Sequence, residues 1–231
     1  MRSEVRILSG AFISYTTRFI LMILRVFSCG PIATNSYLLA CSDTKKAWII
    51  DAPKDCFALL SHAIESEGLH VEKIVLTHSH WDHIADLSLL KKDLGVEVLV
   101  HKEDVGNLES PGSDGLPLYF SIEPVSADQM LSGGEILTLG HMAIAVIHTP
   151  GHSPGGICLY IEQSDTLISG DTLFQGSMGR VDLPTSNPSA MWKSLKVLSK
   201  LPSRTQVYPG HGNSTSIQAE SWMKRAEDLF S

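Results

Sequence analysis

From Leu24 onward the apolar residues fall into short runs cut by Gly, Pro, Asp and Ser, a pattern of strands and turns more than of long helices. Runs over 24–27, 36–39 and 47–50 predict three consecutive strands, with Gly30-Pro31 and Ser42-Asp43 supplying the turns. Over 54–67 the spacing changes: Phe57, Leu60 and Ile64 recur at helical intervals, and Gly68 ends the helix. A buried-type strand is predicted at 73–77, then a helix over 83–94 and a strand at 97–100. After a Gly-, Pro- and Ser-rich loop over 110–117 the logic repeats, with strands at 135–139, 143–148, 157–161 and 166–169. A helix over 189–200 brings Met191, Leu195 and Leu198 to one face, and a short strand at 205–208 and a helix over 216–230 close the chain. Strand runs followed by helices, twice over, predict an α/β (α+β) protein in which two sheets pack together with helices outside, a four-layer αββα sandwich formed as one domain.

Composition narrows the class. Of the 231 residues 43% are hydrophobic and 19% charged, as in soluble globular proteins. The formal charge is −7 and no Lys/Arg cluster appears, which argues against a nucleic-acid partner. Cys29, Cys41, Cys56 and Cys158 form no Cys-x-x-Cys pair and read as buried thiols of a reducing compartment, so the expected address is the cytoplasm. Residues 1–21 read as an N-terminal extension, with Met22 as an alternative start, ahead of a domain over 22–231. The apolar stretch 19–24 lies between Arg18 and Arg25, far short of the roughly 20 residues of a membrane span, and no cleavage pattern follows it. Neither a membrane nor export is expected.

The chemistry concentrates in Thr77-His-Ser-His-Trp-Asp-His83, directly after a predicted strand. Imidazole nitrogens and carboxylate oxygens are the usual ligands of zinc and similar ions, and packing does not explain His78, His80, Asp82 and His83 between one strand end and the next helix. Three later residues also follow predicted strands: His152 in Thr-Pro-Gly-His-Ser-Pro-Gly-Gly156, Asp171 after Gly170, and His211 in Tyr-Pro-Gly-His-Gly212. Together they supply seven candidate ligands, enough for two sites with room for water. Of the other histidines, His62, His70, His101 and His141 read as solvent-facing or structural, and His148 is a candidate partner for a ligand ring.

His-x-His-x-Asp-His followed by Gly-His, Gly-Asp and Gly-His in this order resembles the metallo-β-lactamase superfamily, from about Leu24 to the last helix. The resemblance implies that His78, His80 and His152 hold one metal, that Asp82, His83 and His211 hold a second, and that Asp171 bridges them. The expected cofactors are two divalent ions, zinc first, with iron or manganese as alternatives. Antibiotic-degrading members commonly carry Cys where this chain has Asp171, flavodiiron members carry Glu at His80, and nucleic-acid-cleaving members add domains and basic surfaces. Gly170-Asp-Thr-Leu-Phe and Gly179-Arg-Val-Asp182 are instead similar to the glyoxalase II and persulfide dioxygenase branch, closest to short single-domain glyoxalase II-like hydrolases. Full-length glyoxalase II adds a helical region that helps to hold glutathione, whereas 20 residues follow His211 here, which sets glutathione itself in question.

The implied reaction is thioester hydrolysis by a metal-bridging hydroxide, because two adjacent cations lower the pKa of a shared water. Asp82 would orient that hydroxide, and Arg180 is a candidate fork for a substrate carboxylate, with an ion pair to Asp182 as its plain alternative. Trp81, Phe174 and Met178 are candidates for an apolar rim. The expected partner is a small thioester. Two rival functions stand beside this one: a mononuclear iron persulfide dioxygenase using His78, His152 and Asp171, and a non-enzymatic binding module whose metals are structural.

Overall fold

The computed structural model describes residues 22–230, so the extension expected over 1–21 lies outside the described residues. Among the described residues, twelve strands form two six-stranded sheets. The first sheet holds β1 (Met22–Cys29), β2 (Thr34–Cys41), β3 (Lys46–Ile50), β4 (His70–Val75), β5 (Glu97–His101) and β6 (Gln129–Leu131) in sequence order. Strands β1 to β3 are antiparallel, and β3 to β6 run parallel. The second sheet has the order β12-β11-β10-β9-β8-β7, from β7 (Ile136–Leu139), β8 (Met142–His148), β9 (Ile157–Ile161), β10 (Thr166–Gly170), β11 (Gln206–Pro209) and β12 (Thr215–Ser216). Only β10 and β11 pair parallel within it.

Alternation along the strands builds the layers. Tyr37, Leu39, Trp48, Ile50, Val75 and Leu99 face Met142, Ile144, Val146, Leu159, Ile161 and Ile168 in a shared core between the sheets. The intervening residues Leu38, Ala40, Ala47, Ile49, Ile74, Val98 and Val100 meet Leu60, Leu87, Leu90 and Leu108 of the helices outside the first sheet. Those helices are α1 (Phe57–Glu67), α2 (Trp81–Ile84), α3 (Leu87–Leu94) and α4 (Val105–Glu109). Outside the second sheet, Cys158, Leu167 and Val207 pack on Met191, Leu195 and Leu198 of α5 (Pro188–Leu198) and on Ala226 of α6 (Ala226–Phe230). Strands buried on both faces explain the unbroken apolar runs. The αββα sandwich is therefore the observed fold.

Several boundaries differ from the expected ones, and each has a local cause. The first helix begins at Phe57, where the buried Asp86 carboxylate accepts the Phe57 N–H. The helix expected over 83–94 is broken into α2 and α3 because the backbone of Ala52 inserts into its ladder. The Ala52 N–H donates to the His83 carbonyl at 2.8 Å, and the Ala52 carbonyl accepts from the Asp86 N–H at 2.9 Å. The closing helix expected over 216–230 is instead strand β12, a 3-10 turn over Ser221–Arg225 and α6. Glu220 diverts it: this buried carboxylate accepts from Thr215 Oγ1, Trp222 Nε1 and the Gly176 N–H, which ties the chain down where a helix would have to continue. The short elements β6 and α4 were not expected from the sequence.

Among the described residues, no helix is long and apolar enough to cross a membrane. All four cysteines are free and buried.

Candidate metal centre and substrate cleft

The site forms where strand ends of the two sheets meet. The segment after β4 carries His78, His80, Asp82 and His83; the turn between β8 and β9 carries His152; Asp171 follows β10 and His211 follows β11. Backbone hydrogen bonds lock these segments together: Ile157 N–H to the Thr77 carbonyl at 2.9 Å, Gly210 N–H to the Gly170 carbonyl at 2.8 Å, and Asn35 N–H to the Gly210 carbonyl at 2.7 Å. The glycine before His211 is required sterically, since a Cβ on Gly210 would fall on Asp171 Oδ1 and 2.9 Å from His83 Cε1.

All seven candidate ligands come together. Donor atoms of His78, His80 and His152 lie within 4.8 Å of one another, as do those of Asp82, His83 and His211, and those of His78, His83 and Asp171. Asp171 reaches both sides, with Oδ2 3.4 Å from His152 Nε2 and 3.5 Å from His211 Nε2, and Oδ1 3.5 Å from His83 Nε2.

The hydrogen bonds on the far side of each ring decide which nitrogen is bare. His83 Nδ1 donates to Asp51 Oδ2 at 2.9 Å, His152 Nδ1 to the Arg180 carbonyl at 2.9 Å, and His211 Nδ1 to the Ile32 carbonyl at 3.2 Å. The Thr77 hydroxyl gives its one hydrogen to Asp51 Oδ2 at 2.7 Å, so it accepts from His78 Nδ1 at 3.1 Å. Each of these four rings thus turns its Nε2 inward as the nitrogen left for a metal. His83 Nε2 lies 3.2 Å from Asp82 Oδ2, and so does His211 Nε2, contacts that a proton bridges in the metal-free chain and that a cation would bridge in its place. His80 Nδ1 sits 2.9 Å from His152 Nε2. The Nε2 atoms of His78, His80 and His83 and Oδ1 of Asp171 are buried without a hydrogen-bond partner. Imidazole nitrogens buried without a partner, beside others that face carboxylates where a cation would take the place of a proton, make a donor set that fits divalent metal ions.

Protonation in the metal-free chain follows the same division. Burial, together with the His83, His80 and His152 rings, drives His78 well below the usual imidazole range, and burial beside His152 lowers His80 to about 3. On the other side burial also opposes charge, but Asp82, Asp51 and Asp171 outweigh it and raise His83 well above the usual range. His211 is raised as well, with burial again opposing and Asp82 and Asp171 prevailing. Burial pushes the carboxyls of Asp82 and Asp171 up, yet His83 and its neighbours bring both below the usual carboxylate range.

Asp51 was not singled out in the sequence, although it ends an apolar strand as Asp171 does. Its buried carboxylate accepts from the Thr77 N–H (2.7 Å), the Thr77 hydroxyl and His83, and so orients two candidate ligands, His83 directly and His78 through Thr77. Thr34, also missed, donates to Asp82 Oδ2 at 2.7 Å. His148 does not touch a ligand ring: it donates to the Pro154 carbonyl at 2.9 Å and stacks at 3.9 Å on buried His101. His62, His70 and His141 are exposed.

The centre opens into a cleft of about 810 Å³ lined by Ile32, Trp81, Leu116, Tyr119, Phe174 and Met178, among others. Trp81 packs against Tyr119 and Phe120, with ring centroids 5.1 and 5.5 Å away. The candidate rim residues Trp81, Phe174 and Met178 all lie on this cleft. Arg180 lines it too, but its fork is filled: Nε and the second amino nitrogen each donate to Asp182 at 2.9 Å. The plain ion-pair alternative for Arg180 is the one observed.

The sequence profile described as the metallo-beta-lactamase superfamily matches residues 29–211, a span that takes in all seven candidate ligands. Among curated relatives, the probable metallo-hydrolase YqgX of Bacillus subtilis (strain 168) is 34% identical over 194 residues, 83% of this chain and 90% of its own. The hydroxyacylglutathione hydrolase of Brucella ovis is 34% identical over 162 residues, 70% of this chain and 55% of its own. Among solved structures, the BLEG-1 B3 metallo-beta-lactamase aligns with a TM-score of 0.77 at 37% identity, covering 86% of this chain and 96% of that one. TTHA1623 in a di-iron-bound form aligns at 0.74 and 34% identity, covering 85% and 96%. ETHE1 from Myxococcus xanthus aligns at 0.72 and 27% identity, covering 86% and 81%. Sequence profile, fold and donor set agree: the chain belongs to the metallo-beta-lactamase superfamily.

Proposed function

We propose that this chain is a metal-dependent hydrolase that holds two divalent ions and cleaves a small thioester. The observation that carries the reading is the convergence of inward-facing imidazole nitrogens on Asp82 and Asp171 at the floor of an apolar cleft. Divalent ions held there supply Lewis acidity and acidify coordinated water. His78, His80 and His152 would hold one, Asp82, His83 and His211 would hold the other, and Asp171 stands near both groups. Zinc is the first expectation; the di-iron form of TTHA1623 keeps iron as the alternative.

The chain's own groups do the positioning. Asp82, fixed by the Thr34 hydroxyl, accepts a hydrogen from the attacking water and aims it at the thioester carbonyl. The Trp81–Tyr119 wall and the Phe174–Met178 wall take the apolar parts of the substrate and exclude bulk water. A thiol has a pKa near 8.5, so the leaving thiolate needs no strong general acid. Arg180 reaches a substrate carboxylate only by exchanging Asp182 for it. Four unpaired thiols suit a reducing compartment, which supports a cytoplasmic address.

The test is elemental analysis of the purified protein beside S-lactoylglutathione hydrolysis with and without chelator. About two ions per chain and chelator-sensitive hydrolysis are expected. One iron per chain, no hydrolysis, and oxygen uptake with a persulfide would replace this reading with the dioxygenase.

A further inference from the structure

A buried carboxylate outside the ligand set touches the backbone on both ligand-bearing loops of one metal site. Asp104 lies in the 3-10 turn Lys102–Asp104 after β5 and is 3% exposed. Its Oδ2 accepts from the Ser79 N–H at 2.9 Å and from the Ser153 hydroxyl at 3.1 Å, and its Oδ1 accepts from the Gly155 N–H at 2.6 Å. Ser79 stands between His78 and His80, and Ser153 follows His152. One carboxylate thus pins the chain next to all three donors of the first site and next to no donor unique to the second. Gly155 is required for this approach, because a Cβ there would lie 2.5 Å from Asp104 Oδ1.

Asn107, one turn further on, completes the hold. Its Nδ2 donates to the Ser79 carbonyl at 2.5 Å, so both peptide groups of Ser79 are engaged by side chains from the same segment. Its Oδ1 accepts from the N–H groups of Gly112 and Asp114, at 3.0 and 3.2 Å, which anchors the loop leading to the cleft-lining residues Gly115, Leu116 and Pro117.

We infer that Asp104, with Asn107, is a positioning residue for the His78–His80–His152 site alone, setting its metal affinity independently of the Asp82–His83–His211 site. The inference rests on the two-metal reading above. All three partners of Asp104 are donors, so an amide in its place turns an N–H₂ toward at least one of them. Residues that orient metal ligands typically change affinity about 10–100-fold when altered.

The experiment is a Zn²⁺ titration of metal-free protein against a chromophoric chelator, for wild type and Asp104→Asn. Wild type should bind two ions tightly. Asp104→Asn should keep one at wild-type affinity and hold the other about 10–100-fold more weakly. Combining Asp104→Asn with His211→Ala, which damages the other site, should leave no tight ion, and this assigns the weakened site. Ser153→Ala removes only one hydroxyl from the clamp and carries the test should Asp104→Asn fail to fold; it should weaken the same ion by a smaller factor. Equal weakening of both ions would mark Asp104 as a general structural residue and overturn the inference, as would unchanged binding of both. A wild-type chain that holds a single ion would instead remove the two-metal reading, and this inference with it.

Discussion

Asp51→Asn tests the claim that a carboxylate behind the ligands decides which nitrogens face the metals. Oδ2 of Asp51 receives both the His83 Nδ1 hydrogen and the Thr77 hydroxyl, and Thr77 in turn receives the His78 Nδ1 hydrogen. An amide nitrogen at that position donates where the carboxylate accepted. The His83 proton is then favoured on Nε2, and the Thr77 hydroxyl turns to donate to His78 Nδ1, which moves that proton inward too. Both rings lose the lone pairs that the site needs. A hydrogen bond to a charged group is worth about 1.5–3 kcal/mol, and at 1.36 kcal/mol per tenfold this predicts roughly a 10–100-fold loss of affinity. Unlike Asp104→Asn, the change should weaken both ions, because His78 and His83 belong to different sites. Chelator competition on metal-free protein reads the two affinities, and far-UV circular dichroism reports whether the fold survives. A folded Asp51→Asn chain that binds both ions as wild type does would refute the tautomer argument.

Three further outcomes are expected. Asp82→Asn should lower thioester hydrolysis by orders of magnitude while the fold is retained; an unchanged turnover number would remove Asp82 from the mechanism. Metal binding near pH 7 should release protons from the second site, since His83 and His211 are held above the usual imidazole range in the metal-free chain whereas His78 and His80 lie below it. Affinity there should therefore fall more steeply on acidification. Calorimetry in buffers of different ionisation enthalpy measures the release, and a proton count of zero contradicts it. His101 is pushed below its usual pKa by burial and by the stacked His148, so its folded value lies under the unfolded one. Its contribution to stability is present above roughly pH 6.5 and is lost as pH falls through the folded value. Urea midpoints between pH 7.5 and 5 should accordingly drop more for wild type than for His101→Asn, and parallel profiles would exclude this linkage.

The central strands were legible because they are buried on both faces: Ala47-Trp48-Ile49-Ile50 sends alternate side chains into two different cores, so the run is apolar throughout. The cluster of candidate ligands was legible because histidines at a strand end have few other reasons to gather. What escaped was set by contacts between distant segments. Nothing near Ala85 announces a helix break, because the cause is the backbone of Ala52, more than thirty residues earlier. Glu220 looks like an ordinary surface residue of a terminal helix until Thr215, Trp222 and Gly176 are seen around it. Asp51 and Asp104 are single aspartates after strands, and only the three-dimensional placement of Thr77, Ser79 and Gly155 gives them a task. The Arg180 fork shows the reverse case, in which a residue type suited to substrate binding is already paired with a neighbour two positions away.

The most direct test of the central claim is a reconstitution titration: thioester hydrolysis by metal-free protein as Zn²⁺ is added in known equivalents. Activity should rise to a plateau at about two ions per chain. A plateau at one ion, or no thioester hydrolysis at any metal load, would contradict it.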